Sequence, residues 1–133
     1  MYFLESREIY PCPCCGYQVN KYPPGYHEVC PICGWEDDLS QLRFVEMPSI
    51  SNHVSLVRAQ ENFVEYGVSE KRNLGQGREP VPGEKRDDDW RPIDPAKDNI
   101  EAPQSGIDYA ASYPEDTTVL YYWRPTYWRR VVG

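Results

Sequence analysis

The sequence predicts a small α+β fold: short antiparallel strands around a cysteine cluster, one amphipathic helix, a proline-rich segment, and aromatic strands at the C-terminal end. Three observations carry that expectation. All five cysteines fall within residues 12–33. One stretch, residues 52–67, carries apolar side chains at helical spacing. Leu, Ile, Val and Phe number only 26 of 133 residues, about the level at which a chain fails to build an aliphatic core. A small domain in that position needs a disulfide or metal staple.

Residues 1–9 read as a short strand leading into the cysteine zone, with Tyr2, Leu4 and Ile9 in imperfect alternation. Cys12-Pro13-Cys14-Cys15-Gly16 and Cys30-Pro31-Ile32-Cys33-Gly34 are then two copies of Cys-Pro-x-Cys-Gly, with 14 residues between Cys15 and Cys30. A tetrahedral zinc ion takes four thiolates at about 2.3 Å, and each Cys-x-x-Cys turn places two sulfurs on one side of it. Proline after the first cysteine fixes φ entering the turn, and glycine after the second permits a positive φ. Two such knuckles close a four-sulfur zinc ribbon, with Tyr22-Pro23-Pro24-Gly25 turning the intervening arm into a hairpin.

The expected ligands are Cys12, Cys15, Cys30 and Cys33, holding one structural Zn2+. Cys14 is left over as a free thiol near the site, since a Cys12/Cys14 pair would lose the match to the second knuckle. The alternatives are a disulfide or redox pair, and His27 as a substitute ligand. With four protein ligands the ion has no open position for water, so its role is structural and no catalytic residue is assigned.

The helix over 52–67 places Leu56, Ala59, Phe63 and Tyr66 on one stripe, with Asn52 or Ser55 as the N-cap and Gly67 just past the end. Six prolines between residues 80 and 114 then forbid a long helix or central strand. Residues 117–123 are rich in β-branched and aromatic side chains and read as a strand, broken at Pro125, with a second short strand beyond. The organisation expected is a cysteine-and-helix module over 1–72, an irregular segment over 73–116, and aromatic strands over 117–133 packing on the module.

Net charge is −7. Residues 1–50 carry 3 basic against 7 acidic side chains, 51–100 carry 8 against 10, and 101–133 carry 3 against 4. No segment forms the positive stripe that displaces counterions from phosphate, so a nucleic-acid-binding zinc ribbon is the alternative rather than the leading reading. An acidic surface suits a basic protein partner. Glu36, Asp37 and Asp38 form one candidate contact patch, and Tyr121, Tyr122, Trp123, Tyr127, Trp128 and Arg129 have the composition of an interface hot spot. The same rings could instead complete the core. Adjacent carboxylates such as Asp87, Asp88 and Asp89 point apart and do not converge on a metal. No signal peptide or bilayer-crossing stretch is read, which places the protein in the cytoplasm with its thiols reduced.

The blocks Tyr10-Pro11-Cys12-Pro13-Cys14-Cys15-Gly16-Tyr17, Pro23-Pro24-Gly25, Glu28-Val29-Cys30-Pro31-Ile32-Cys33-Gly34-Trp35-Glu36-Asp37-Asp38 and Val54-Ser55-Leu56-Val57-Arg58-Ala59-Gln60-Glu61-Asn62-Phe63 together resemble the cysteine-rich CPCC family of small, mainly bacterial proteins, over residues 8–92. Residues 100–133 lie beyond that resemblance. The resemblance implies a zinc-bound ribbon followed by one helix and, through the family's association with toxin systems, an immunity or antitoxin role: a non-enzymatic protein that binds a toxin.

Overall fold

A computed structural model describes residues 8–129. Its class is α+β. Strands β1 (Tyr10–Pro11) and β2 (Gln18–Asn20) pair antiparallel, Tyr10 facing Asn20 and Pro11 facing Gln18, with a register shift between the two positions. The expected hairpin along the arm is replaced by pairing across each knuckle. β1 and β2 flank the first, and a bridge between Val29 and Glu36 flanks the second. The reason is local: each knuckle reverses the chain, so the residues on either side of it are already antiparallel neighbours. Of the strand expected over 1–9, residues 1–7 lie outside the described residues.

Helix α1 (Leu39–Arg43) was not expected. Its N-cap is Asp38, whose Oδ1 accepts from the Ser40 and Gln41 amides at 2.9 and 3.3 Å. Helix α2 (Leu56–Tyr66) lies within the predicted 52–67 window, starting four residues later and ending one earlier. Ser55 is its cap, accepting from the Arg58 amide at 3.1 Å, and Gly67 closes it at φ 78°, its amide donating to the Phe63 carbonyl at 2.8 Å. Leu56 and Ala59 are fully buried as the stripe requires, while Phe63 and Tyr66 are half-buried at its edge.

Asn52 does other work. It is buried, its Oδ1 accepts from the Glu36 amide at 2.9 Å, and its Nδ2 donates to the Glu36 carbonyl and to Gln41 Oε1 at 2.7 and 2.9 Å. Gln41 in turn donates to the carbonyls of Met47, Asn52 and Val54. Two buried amides therefore satisfy the backbone groups of the α1–α2 connection, where an apolar substitute would leave them unpaired at about 1–3 kcal/mol each.

The C-terminal strands are not formed among the described residues. Thr117–Leu120 is a 3₁₀ helix capped by Asp116, whose Oδ1 accepts from the Thr118 amide at 3.0 Å and from the Thr118 hydroxyl at 2.6 Å. Further turns follow, with Arg124 N donating to the Tyr121 carbonyl and Tyr127 N to that of Arg124. β-propensity reflects packing on a sheet face, and no strand lies alongside to supply one, so the Asp-Thr cap decides the local conformation. The segment still packs inward. Leu120, Tyr121, Tyr122 and Trp123 are buried in the same cluster as the five cysteines, Ile32, Trp35, Leu42, Leu56 and Ala59.

A second tie is polar. Arg43, 5% exposed, donates from Nε and Nη2 to both oxygens of Glu101 at 3.0 Å and from Nη1 to Ser112 Oγ at 2.9 Å. Four rings surround its guanidinium with centroids 4.8–5.0 Å away: Phe44, Tyr109, Tyr113 and Trp128. The carboxylate of Glu101 raises the pKa of this arginine further, so it is charged at every relevant pH.

Candidate metal centre

Both knuckles have the same backbone geometry. In the first, the Cys12 amide donates to the Tyr17 carbonyl at 2.9 Å and the Gly16 amide to the Cys12 carbonyl at 2.7 Å. In the second, Cys30 donates to Trp35 at 2.9 Å and Gly34 to Cys30 at 2.9 Å. Gly16 and Gly34 take φ 82° and 83°, the left-handed region the motif requires. Each turn therefore presents its two sulfurs from a closed loop rather than from a flexible strand.

The loops face each other. Cys12 Sγ lies 3.6 Å from Cys33 Sγ, Cys15 Sγ lies 3.7 Å from Cys30 Sγ, and all four sulfurs lie within 4.8 Å of one another. A regular tetrahedron with metal–sulfur bonds of about 2.3 Å has edges of about 3.8 Å, so one zinc ion fits between them. All five cysteines are free of disulfides. The four are buried, 0–2% exposed, and among the described residues no histidine or carboxylate joins them. His27 is exposed, with Nδ1 3.2 Å from Glu36 Oε2.

Without a cation this arrangement is electrostatically unfavourable. Burial pushes the Cys12 and Cys33 thiols well up, while Cys30 is held low because neighbouring thiols donate to it. A divalent cation favours the thiolate in all four, and soft sulfur donors at tetrahedral spacing select zinc. Bound there, zinc supplies cross-linking and no open coordination position.

Later segments clasp the knuckles from outside. The Pro13 carbonyl accepts from Gln60 Nε2 and Trp90 Nε1, both at 3.0 Å, and the Cys15 carbonyl from Arg86 Nε at 2.8 Å. The Cys33 carbonyl accepts from the Ser69 amide at 2.8 Å and the Ile32 carbonyl from the Arg78 amide at 3.2 Å. Gln60 also donates to Tyr122 Oη at 2.8 Å and accepts from the Ile93 amide at 2.9 Å. These outer donors fix the carbonyls that orient the ligating turns, and the sequence alone did not mark them as part of the site.

Gly16 packs closely against this clasp. A Cβ there would lie 2.5 Å from Trp90 Cδ2, whereas at Gly34 it would meet the end of the Asn73 side chain at 2.7 Å. Gly16→Ala is expected to destabilise the zinc-loaded protein by about 2–4 kcal/mol, from the left-handed backbone plus overpacking. Gly34→Ala should cost less, because a side-chain amide yields more readily than an indole locked to Pro13. Urea denaturation of the two variants checks the order.

Cys14 is fully buried beside the ligands, and burial raises its pKa. Cys14→Ala is expected to keep one zinc per chain and to lose only about 1 kcal/mol of packing. A metal count of zero for that variant would place Cys14 among the ligands.

The contact residues expected from sequence are largely inside. Asp37 is 3% exposed; its Oδ2 accepts from the Gly25 and Tyr26 amides at 2.7 and 2.9 Å. Asp38 is 9% exposed and caps α1, and Glu36 is half-buried. Tyr121, Tyr122 and Trp123 belong to the core, while Trp128 lies against Arg43 and Arg129 pairs with Glu101 at 2.9 Å. Tyr127 is half-buried. The carboxylates of Asp37 and Asp38 thus serve backbone amides, and the rings of residues 121–123 compensate for scarce aliphatics, while Glu36, Tyr127, Trp128 and Arg129 stay partly exposed.

The short-strand knuckles, the four-sulfur cluster and the α2 brace define a small zinc-ribbon protein. Residues 10–84 match the model of the family described as cysteine-rich CPCC, and the chain belongs to that family. No curated protein and no solved structure matches it. Among the described residues, no helix is long and apolar enough to cross a membrane.

Proposed function

We propose that this is a non-enzymatic protein-binding protein, rigidified by its zinc site, that serves as an immunity protein by masking a bacterial toxin with a basic surface. The observation that carries the reading is the arm between the knuckles. Tyr22 and Tyr26 are 52% and 62% exposed and stack on each other with centroids 4.9 Å apart. The arm that presents them is braced throughout. Asp37 holds the Gly25 and Tyr26 amides, Glu28 accepts from the Lys21 and Tyr22 amides at 2.9 Å, and Thr117 Oγ1 donates to the Pro24 carbonyl at 2.8 Å.

His27 is held at φ 58°, a conformation a non-glycine residue keeps only where its surroundings impose it. Exposed tyrosines on a preorganised loop lose little entropy on binding and contribute disproportionately at interfaces. The acidic excess of residues 1–50 and the net charge of −7 favour a basic partner.

Co-expression with the product of the adjacent reading frame tests this reading. A stable complex, and relief of that product's toxicity, are expected; absence of both removes the immunity role. Tyr22→Ala combined with Tyr26→Ala should weaken the complex at least about tenfold, equivalent to about 1.4 kcal/mol.

A further inference from the structure

A cleft of about 760 Å³ opens between α2 and the segment 86–92, and none of its walls comes from the arm or from the ligating turns. Phe63, Val64, Trp90 and Pro92 make those walls mostly apolar. Val64 is 84% exposed, an aliphatic side chain left bare on a helix. A concave apolar site of this volume with few polar groups has the usual form of a small-molecule site.

The walls are fixed in place. Trp90 Nε1 donates to the Pro13 carbonyl at 3.0 Å and Arg86 Nε to the Cys15 carbonyl at 2.8 Å. The Arg86 guanidinium lies 4.8 and 5.0 Å from the ring centroids of Tyr17 and Trp90, so aromatic surface replaces part of its water. Among the described residues its Nη1 and Nη2 donate to nothing, and no carboxylate pairs with it. Asp87, the next residue, accepts from Trp123 Nε1 and from Arg124, and Glu61, the carboxylate on the cleft wall, lies 3.2 Å from Arg58. The Gln60 amide is committed to Pro13, Tyr122 and Ile93. The polar feature left to the cleft is therefore one unclaimed guanidinium fork.

We propose that this cleft binds an aromatic monocarboxylate, its ring against Phe63, Val64 and Trp90 and its carboxylate on the free Nη1 and Nη2 of Arg86. Two parallel N–H···O bonds match a planar carboxylate. A single uncompensated cation suits a single negative charge, and a phosphate dianion would bring a second into a molecule of net charge −7. The rings of Trp90 and Phe63 favour a flat aromatic body through offset and edge contacts. Because Trp90 and Arg86 are already held by backbone carbonyls, little side-chain freedom is lost on binding.

Calorimetric titration of the zinc-loaded full chain with naphthoate, naphthamide and acetate tests the assignment. Naphthoate should saturate a single site, and the other two probes should bind at least about tenfold more weakly. Val64→Glu sets a competing carboxylate on the wall and should weaken naphthoate binding at least about tenfold. Ile50→Glu, a similar change at a side chain 94% exposed and outside the cleft, should leave it unaltered. Arg86→Lys keeps the charge but loses the fork, and should weaken binding by a comparable factor with zinc still at one per chain. If that variant loses its zinc, the comparison of naphthoate with its amide decides the role of the arginine. No saturable naphthoate binding up to about 10 mM, equal binding of the amide or of acetate, or equal losses in Val64→Glu and Ile50→Glu overturns the proposal.

Discussion

Removing zinc is expected to unfold this protein rather than loosen it. Binding free energy at a four-thiolate site is on the order of 10 kcal/mol, comparable with the whole stability of a small domain. Cys12, Cys15, Cys30 and Cys33 sit in the same cluster as Trp35, Leu56 and Tyr121, so loss of the cross-link between them would be felt by the core directly. Chelation, or Cys33→Ser, should abolish the near-UV circular dichroism of Trp35 and Trp123. Acid should do the same, because protons compete for the thiolates: stability is present while the sulfurs are deprotonated by the metal and is lost as pH falls through zinc release. Retention of the native spectrum by metal-free protein would contradict the structural role.

The second large effect is expected at Arg43. Arg43→Met removes one partner of a buried ion pair, a change that costs about 3–5 kcal/mol where the other charge is stranded. Glu101 keeps Arg129, which places the expected loss near about 3 kcal/mol. Arg43→Lys should rescue little, since an ammonium cannot reproduce the bidentate contact or spread over four rings. The damage should be regional. Hydrogen exchange and proteolysis should rise across residues 101–128 while zinc content stays at one per chain. A loss below about 1 kcal/mol with unchanged exchange would show that the arginine does not hold the segment.

The cluster was legible because its geometry is written in local spacing. Two Cys-x-x-Cys turns, each followed by a glycine at positive φ, specify the same loop twice, and four sulfurs then have only one way to converge. Helix α2 was legible for the same reason, through its stripe and its closing Gly67. Pairings at long separation were not. Gln60 reads as the polar face of an amphipathic helix, yet it is buried and joins Pro13, Ile93 and Tyr122. Asp37 and Asp38 read as a solvated acidic run because nothing in the sequence shows which amides will need acceptors. The aromatic run at 121–123 was correctly rich in buried rings, but β-propensity gave the wrong conformation because it presumes a neighbouring strand.

The clasping order has a consequence for how the chain matures. The second knuckle is closed by Ser69 and Arg78, the first by Arg86 and Trp90, and the aromatic turns that pack in the same core come later in the chain. During synthesis, therefore, a nascent polypeptide can load its ion once about ninety residues have emerged, and everything translated later docks onto a scaffold already set.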